Sequence, residues 1–334
     1  MTQFFRAVPL IAGLAVVVWL CARFGFEDLV AAFQRVNLSY LLLYSCSAVA
    51  VLLGYCVRWL LVTRAMGLPV PLKRLVAARL AGDAVGALLP GGKVGGDPLR
   101  AALMYADGLS GVSASAGVAL DRVMELISNS LVGIVYVSIF SMTRAVETRA
   151  PLLLAAILLV PLLALLGTVV MLWVGMRPFT PVFGAIARLL PPLRGGSDVL
   201  RRTEDQLTYF LRDRPLAFVL GLLGSLLVEA MIIIEYHYLL AAFGLLLDLP
   251  TLFIVLLASG LARVVPTPAG LGALEVSQVT ALGLASGQPH VGFIVGIVLR
   301  LHETLWTLVG LLVLSMQGMS FARLRVLAAP KAAA

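Results

Sequence analysis

The chain has 334 residues, of which 61% are hydrophobic and only 13% are charged. Soluble domains are about 45–50% apolar and about 25% charged, so this composition excludes an ordinary soluble enzyme and indicates a polytopic membrane protein. The formal net charge of +8 fits basic loops that face anionic lipid head groups. Because the basic residues are spread among apolar segments, we expect no nucleic-acid surface.

Apolar segments follow one another along the chain, and a spanning helix needs about 20 mostly apolar residues. Two apolar stretches, 75–89 and 251–265, are shorter; each runs into a Gly/Pro break and continues in another short segment. The pattern predicts an all-α polytopic protein, with residues 1–334 in a single membrane domain and two broken or re-entrant helical hairpins. The six predicted full spans are 7–22, 39–62, 114–140, 151–175, 216–243 and 291–316.

The basic residues alternate with these spans. The stretch 58–79 carries five basic residues and no acid, the loop 177–214 carries seven arginines and four acids, and the tail is basic. Since positively charged loops stay in the cytoplasm, both termini are predicted to be cytoplasmic. The loop 177–214 also has an amphipathic pattern, which favours a helix that lies on the membrane face.

Two parts of the chain share the same order of features. The breaks read LLPGGKVGGDPLRAAL at 88–103 and VVPTPAGLGALEV at 264–276. A short segment, a small-residue turn and a long span with the pattern Arg-x-x-Glu follow each break, at 122–125 and 300–303. With the predicted orientation, the chain enters the first hairpin from the cytoplasm and the second from outside. The sequence therefore predicts an inverted-topology repeat, 39–140 and 216–316, as in many secondary transporters; the alternative is chance similarity.

Ionisable residues inside membrane spans are costly, and by default they are functional or paired. Arg122 and Glu125 are three residues apart and share a helix face, as do Arg300 and Glu303. Asp121 adds a second acid beside Arg122. Two interpretations stay open for these pairs: they are structural locks between helices, or they line the path of a polar head group.

The hairpin segments carry a higher density of charge. Broken helices expose backbone N–H groups and a positive helix end, which suit an anionic group such as a phosphate. Such backbone is tolerated at membrane depth only beside protein or a water-filled cavity, so we expect the breaks to face a cavity. The alternative is that the glycines only permit tight hairpin packing. The charged candidates are Arg79, Asp83, Lys93, Asp97 and Arg100 in the first hairpin and Arg263 and Glu275 in the second.

Two further candidates lie in the long spans. Glu229 is the deeper acid of the span 216–243, which makes it a better functional candidate than Glu235 near the outer end. His302 falls inside the second Arg-x-x-Glu pattern and could titrate near neutral pH. A proton relay and a helix-packing hydrogen bond are the two interpretations of this histidine.

Nucleotide and enzyme motifs are missing from the sequence. Lys93 is followed by Val94, whereas a P-loop requires Ser or Thr after its lysine and a strand before the loop. The hydrolase pattern G-x-S-x-G, the zinc pattern H-E-x-x-H and His/Cys clusters with metal spacing are also missing. We therefore expect no catalytic residue, no metal and no cofactor, and a lipid-modifying enzyme with an unfamiliar site stays an alternative.

Four quoted segments, LLPGGKVGGDPLRAALM, ALDRVMELI, PTPAGLGALEV and VLRLHETLW, together resemble the flippase-like integral membrane family. This family is also called the lysylphosphatidylglycerol synthase transmembrane region, and the resemblance covers about residues 5 to 320. It implies a bacterial cytoplasmic (inner) membrane protein that moves a polar lipid between leaflets. Some members sit beside hopanoid-biosynthesis proteins, and the chain could belong to that branch. The bifunctional synthases carry a soluble aminoacyl-transferase domain after the membrane region; the chain ends at Ala334, so we expect that domain to be absent.

The resemblance also carries site residues over by motif match. Family members often have a neutral residue where Lys93 stands, so this lysine departs from the family pattern. The cavity residues that the resemblance implies are Gly91, Gly92, Gly95, Gly96, Asp97, Arg100, Asp121, Arg122 and Glu125 in the first half and Pro268, Gly270, Gly272, Glu275, Arg300 and Glu303 in the second.

These features lead to one main hypothesis, a lipid translocator whose head-group path is lined by the broken hairpins and the Arg-x-x-Glu pairs. The alternatives are a non-catalytic membrane partner of lipid-biosynthetic enzymes and a membrane-embedded lipid-modifying enzyme. The expected partners are a lipid substrate, the membrane itself, and either a second copy in a homodimer or a lipid-biosynthetic protein.

Overall fold

The computed structural model describes residues 18–20, 22–23, 30, 33–89, 93–144, 150–189, 196–263, 265 and 271–317, and the regular structure in these ranges is helical. Eleven helices of eleven residues or more follow in chain order within the described part. They are α1 (Leu38–Ala65), α2 (Leu72–Leu88), α3 (Lys93–Ala106), α4 (Gly111–Arg144), α5 (Ala150–Trp173), α6 (Phe179–Leu189), α7 (Gly196–Asp213), α8 (Pro215–Ala242), α9 (Leu249–Ala262), α10 (Ala273–Ser286) and α11 (Pro289–Met316).

Five helices of the described part, α1, α4, α5, α8 and α11, are long and apolar enough to cross a membrane. They coincide within a few residues with five of the predicted spans, so the chain is a multi-pass membrane protein. The first predicted span, 7–22, lies almost wholly outside the described residues. The total of six spans therefore stays a prediction.

The two predicted hairpins are pairs of short helices, α2 with α3 and α9 with α10. These helices have 14 to 17 residues. At 1.5 Å per residue they are about 21–26 Å long, which is less than the hydrocarbon core of about 30 Å.

Four of the predicted site residues at the breaks lie outside the described residues: Gly91, Gly92, Pro268 and Gly270. Lys93 begins α3, but its side chain is not described.

The helices of the two halves contact each other in a reciprocal way. The last long helix of the first half, α4, packs against α9 of the second hairpin, and α11 packs against α2 of the first hairpin. Helices α1 and α8, one from each half of the chain, lie side by side. Each hairpin is thus held by a long helix from the other half of the chain.

Glycines set the closest approaches between these helices. A Cβ atom at Gly96 of α3 would overlap the backbone carbonyl of Gly82 on α2, and a Cβ atom at Gly310 of α11 would overlap that of Leu80. At Gly95 the added atom would lie 3.2 Å from the Leu89 side chain. Small residues allow such close backbone approach within membranes. For Gly95 and Gly96 the structure therefore shows the tight hairpin packing that was the alternative to a role as cavity residues.

The segment 177–214 differs from the single membrane-face helix that its pattern favours. It forms two helices, and α7 buries Leu207, Phe210 and Leu211 against α4 and α5. The apolar side of α7 therefore faces protein, because the neighbouring long helices cover it. Most of the exposed large apolar side chains of these two helices stand on α6, among them Phe179 and Val182, while α7 exposes Val199 and Tyr209.

Candidate functional site

Eight charged side chains lie together between α1, α2, α3 and α4. Four arginines meet four carboxylates, so the group is formally neutral, and none of the arginine side chains is more than 10% exposed. We call this group the first-half cluster. Its members are Arg58, Arg79, Arg100, Arg122, Asp83, Asp97, Asp121 and Glu125.

Asp121 is the centre of the first-half cluster. Its fully buried carboxylate accepts hydrogen bonds from Arg58 Nε at 3.0 Å, Arg79 Nη1 at 3.1 Å and Arg100 Nη2 at 2.6 Å. These three arginines come from α1, α2 and α3, while Asp121 stands on α4. A carboxylate that the sequence presents only as a second acid beside Arg122 therefore joins four helices.

The predicted pair of Arg122 and Glu125 is present, with Arg122 Nη1 at 3.1 Å from Glu125 Oε1. Arg122 also holds Asp97 in a two-pronged contact, through Nε at 2.7 Å and Nη2 at 2.8 Å. Such charge-assisted bidentate pairs are among the stronger hydrogen bonds in proteins. The Arg-x-x-Glu motif thus connects α4 to the start of α3.

The charged candidates of the first hairpin also form ion pairs with one another. Arg79 Nε lies 3.1 Å from Asp83 Oδ2, and Arg100 Nη1 lies 3.1 Å from Asp97 Oδ1. Arg79 reaches further and binds Glu125 through Nη2 at 3.0 Å. The first hairpin is therefore bound to α4 by ion pairs from both of its helices.

Sequence reasoning missed the contribution of α1. The guanidinium of Arg79 lies 4.1 Å from the ring centroid of Tyr55, and that of Arg100 lies 4.1 Å from the ring centroid of Trp59. Cations over aromatic faces are attracted by the ring quadrupole, most strongly where water is absent. The sequence signal for this contribution is a spacing of three and four residues, which places Tyr55, Arg58 and Trp59 on one face of a helix.

Arg58 and Arg79 also correct part of the orientation argument. Both were counted among the basic residues of 58–79, but their side chains are 1% and 0% exposed and belong to ion pairs. Charges neutralised inside the protein carry little information about the side of the membrane. Of the five basic residues in this stretch, only Arg64, Lys73 and Arg74 are exposed.

A second group of four charged side chains lies at α9, α10 and α11. Arg300 Nε lies 2.7 Å from Glu275 Oε1, and Arg300 Nη1 lies 3.2 Å from Glu303 Oε2. Arg263, directly after α9, lies 3.1 Å from Glu303 Oε1 through Nη2. These four residues, Arg263, Glu275, Arg300 and Glu303, form the second-half cluster, which is also formally neutral.

The two Arg-x-x-Glu motifs make the same contacts. Each arginine binds an acid 25 residues earlier, on the second helix of its hairpin: Asp97 for Arg122 and Glu275 for Arg300. Each also binds the glutamate three residues later in its own helix. The motifs that the sequence pairs are therefore equivalent in geometry as well as in spacing.

The two clusters differ in their exposure. In the second-half cluster the side chains of Arg263, Glu303 and Arg300 are 48%, 25% and 16% exposed. Where the first half has Arg100, three residues after Asp97, the second half has the uncharged Gln278, which donates to Ser259 at 2.8 Å. An outside ligand can therefore reach charged groups of the second half more easily than those of the first.

The start of α10 already has an anion of its own. The N–H of Gly272 donates to Glu275 Oε2 at 2.8 Å, and a carboxylate in the first turn stabilises a helix N-terminus. Gly272 has a φ of 81°, which favours glycine. One of the N–H groups that the sequence offers to an anion at this helix end is therefore already bound by Glu275.

The two remaining candidates lie beside the clusters. His302 accepts a hydrogen bond at 2.6 Å from Nε1 of Trp306, which is four residues later in the same helix. Asn129, with its amide nitrogen turned toward α8, donates to Glu229 and, at 3.0 Å, to the carbonyl oxygen of Glu125. Glu229 thus adjoins the first-half cluster.

In the described ranges no three His, Cys, Asp or Glu side chains are grouped as a metal site requires.

A comparison with known protein families gives a match over most of the chain. The family is described as "Lysylphosphatidylglycerol synthase TM region", and its sequence model matches residues 6–311. This range contains both hairpins and all residues of both clusters. A search of curated proteins finds no match for the chain. Almost the whole chain is covered, and it therefore belongs to the lysylphosphatidylglycerol synthase transmembrane-region family of membrane-embedded proteins.

Proposed function

We propose that the protein moves a polar or phosphate-bearing lipid between the leaflets of the bacterial cytoplasmic membrane, as a flippase or scramblase. The observation that carries the proposal is the second-half cluster, a set of mostly part-exposed charges on the second hairpin and on α11, a helix long and apolar enough to span. Ionisable groups in such a setting mark the route of a polar substrate by default.

The chemistry of the second-half cluster suits a lipid head group. Arg263 and Arg300 share the carboxylate of Glu303, so a phosphate can replace one carboxylate contact while the arginines stay compensated. Exchange of one anionic partner for another avoids leaving a charge unpaired in a medium of low dielectric constant, which would be strongly unfavourable. The acyl chains of the lipid would stay in the bilayer.

The proposal includes an inverted-topology repeat, 39–140 and 216–316, with both termini in the cytoplasm. The matching contacts of Arg122 and Arg300 support this symmetry. So does the reciprocal packing of α4 on α9 and of α11 on α2. Repeats of this kind provide alternating access by rocking of one half against the other around a central site.

The test is translocation by purified protein in vesicles that contain fluorescent phosphatidylglycerol, with dithionite added outside to bleach the exposed label. We expect the Arg300→Gln variant to move lipid about tenfold more slowly, which corresponds to a barrier about 1.4 kcal/mol higher, because the head group loses a guanidinium partner. Arg177→Gln is the matched control, since Arg177 is exposed, lies outside the candidate spans and pairs with Asp205. Its rate should equal that of the wild type.

Vesicles with wild-type protein that bleach no faster than protein-free vesicles would show that the translocator proposal is wrong. Mass spectrometry of the same vesicles would then separate the alternatives. A new lipid species would support a lipid-modifying enzyme, and an unchanged lipid profile would support a non-catalytic partner of biosynthetic enzymes.

A further inference from the structure

Two buried tyrosine side chains lie beside the second-half cluster, and their hydroxyl groups differ. Tyr236 of α8 is 5% exposed and donates from its hydroxyl to the side-chain oxygen of Gln278. Tyr44 of α1 is 4% exposed, and no group in the described part of the chain makes a hydrogen bond with its hydroxyl. Most buried polar groups have a partner, because burial without one removes the bonds to water and replaces them with none. The Tyr44 hydroxyl therefore requires a physical explanation.

The charged groups around this hydroxyl belong mostly to the second-half cluster. The ring of Tyr44 lies 5.2 Å from that of His302, measured between centroids, and His302 directly precedes Glu303 in α11. The hydroxyl is within electrostatic range of Arg263 and Glu303, and also of Glu235 on α8. Side chains from α1, α8, α11 and the end of α9 therefore meet at this position.

Two donors at this position can bind the same anion. Arg263 is half-exposed and binds Glu303 through Nη2, and a guanidinium has five N–H donors, so it can bind a second anionic group. The phenol of Tyr44 donates one hydrogen bond and carries no charge. Because the carboxylates of Glu235 and Glu303 repel an anion, a second donor beside Arg263 is important for holding one.

One face of α1 serves both clusters. Tyr44 and Tyr55 are eleven residues apart, which is close to three turns of a helix, or about 17 Å along its axis. Tyr55 lies under the guanidinium of Arg79 in the first-half cluster. Helix α1 thus presents an aromatic side chain to each cluster.

We infer that Tyr44 is a ligand-binding residue, whose hydroxyl donates to a phosphate oxygen of the lipid that Arg263 also binds. The inference deepens the proposed function and rests on it for the identity of the ligand as a lipid. The partner of the buried hydroxyl is then the substrate itself. The site also extends from the second half of the chain to α1 in the first half.

Binding and stability should respond differently to the loss of this hydroxyl. Tyr44→Phe removes one oxygen atom, and no described hydrogen bond is lost with it. Residues that serve a ligand at a cost to the fold leave the protein at least as stable when they are replaced. We therefore expect Tyr44→Phe to unfold in detergent at the temperature of the wild type or above it. A lower unfolding temperature would mean that the hydroxyl is bonded within the protein, and it overturns the inference.

Native mass spectrometry from mild detergent measures binding of palmitoyl-oleoyl phosphatidylglycerol to the full-length protein. We expect Tyr44→Phe to weaken binding of one lipid by about tenfold, because the phosphate loses a donor. Tyr209→Phe makes the same chemical change at a position of α7 that is 61% exposed, and it should bind like the wild type. Equal binding by the two variants overturns the inference.

Two further ligands test whether the hydroxyl recognises a lipid phosphate. Diacylglycerol with the same chains lacks the phosphate, so Tyr44→Phe should bind it as the wild type does; an equal loss for both lipids overturns the phosphate contact. Inorganic phosphate in excess should leave phosphatidylglycerol bound, since the acyl chains add affinity that a free ion lacks. Release of the lipid by inorganic phosphate would assign the site to a soluble anion and reject the lipid as its ligand.

A double variant tests whether Tyr44 and Arg263 bind the same group. Independent contacts give a double variant whose loss of affinity is the product of the two single losses. For Tyr44→Phe combined with Arg263→Gln we expect a smaller loss than that product, because each contact depends on a phosphate that the other holds in place. Losses that multiply overturn the shared phosphate.

Binding and vesicle translocation, measured on the same preparations, separate this inference from the proposed function. Wild-type protein that moves no lipid, together with weakened binding in Tyr44→Phe, would leave Tyr44 as a lipid-binding residue and reject translocation. Wild-type protein that moves lipid, together with normal binding in Tyr44→Phe, would reject the role of Tyr44 and leave translocation standing.

Discussion

At the scale of single residues, the buried charges are arranged so that every arginine of the two clusters has a carboxylate partner. Asp121 serves Arg58, Arg79 and Arg100 together. The cost of removing charges from water is several kcal/mol per ion and is offset only by close, well-oriented partners. The removal of one partner should therefore cost much more than the pair contributes by itself.

Asp121→Asn tests this statement. We expect the free energy of unfolding to fall by about 3–5 kcal/mol, because three buried arginines lose their shared countercharge. Thermal unfolding in detergent measures the change. The control is Asp205→Asn, whose partner Arg177 is half-exposed; exposed pairs contribute about 0–1 kcal/mol. Similar shifts in the two variants would contradict the central role of Asp121.

At the scale of helices, close contact between backbones determines how the first hairpin forms. In the first hairpin, Gly82 and Gly96 bring α2 and α3 together, and Gly310 brings α11 against α2. Lipid tails are as apolar as leucine side chains, so helices in a bilayer associate through close packing and polar contacts rather than through exclusion of water. The first hairpin has both, since its arginines bind α4 while its glycines contact each other.

Gly96→Ala should disrupt this contact. Its added methyl group meets backbone rather than a flexible side chain, and overpacking of this kind costs about 1–3 kcal/mol. Thermal unfolding in detergent is the measurement. Gly167→Ala is the control, because no atom lies within 4 Å of the added carbon and alanine favours a helix over glycine. A Gly96→Ala protein as stable as Gly167→Ala would show that the hairpin separates without penalty.

At the scale of the whole molecule, the two halves depend on each other. The packing of α4 on α9 and of α11 on α2 means that each half covers the hairpin of the other. Charge is distributed unevenly over this arrangement: the first-half cluster is the larger and more deeply buried, and the second-half cluster is the more exposed. The first-half cluster is therefore shielded from the surroundings, whereas charged groups of the second-half cluster lie partly at the protein surface.

A split protein tests this mutual dependence. We expect two fragments, divided between α6 and α7 and expressed together, to copurify through a tag on one of them, because their shared helix faces are then covered. Each fragment expressed alone should aggregate or be degraded, since its hairpin lacks its packing partner. Size-exclusion chromatography in detergent is the measurement. A monodisperse first fragment that unfolds at the temperature of the intact chain would contradict the prediction.

The sequence by itself determined the features that depend on local order. Apolar length defined five of the long helices, the Gly/Pro breaks defined the two hairpins, and three-residue spacing identified the pairs of Arg122 with Glu125 and Arg300 with Glu303. Only the tertiary structure decided which distant charges meet. Arg58 and Asp121 are 63 residues apart, and no periodicity relates them. The same holds for the burial of α7, because a contact between helices exists only once packing has brought their faces together.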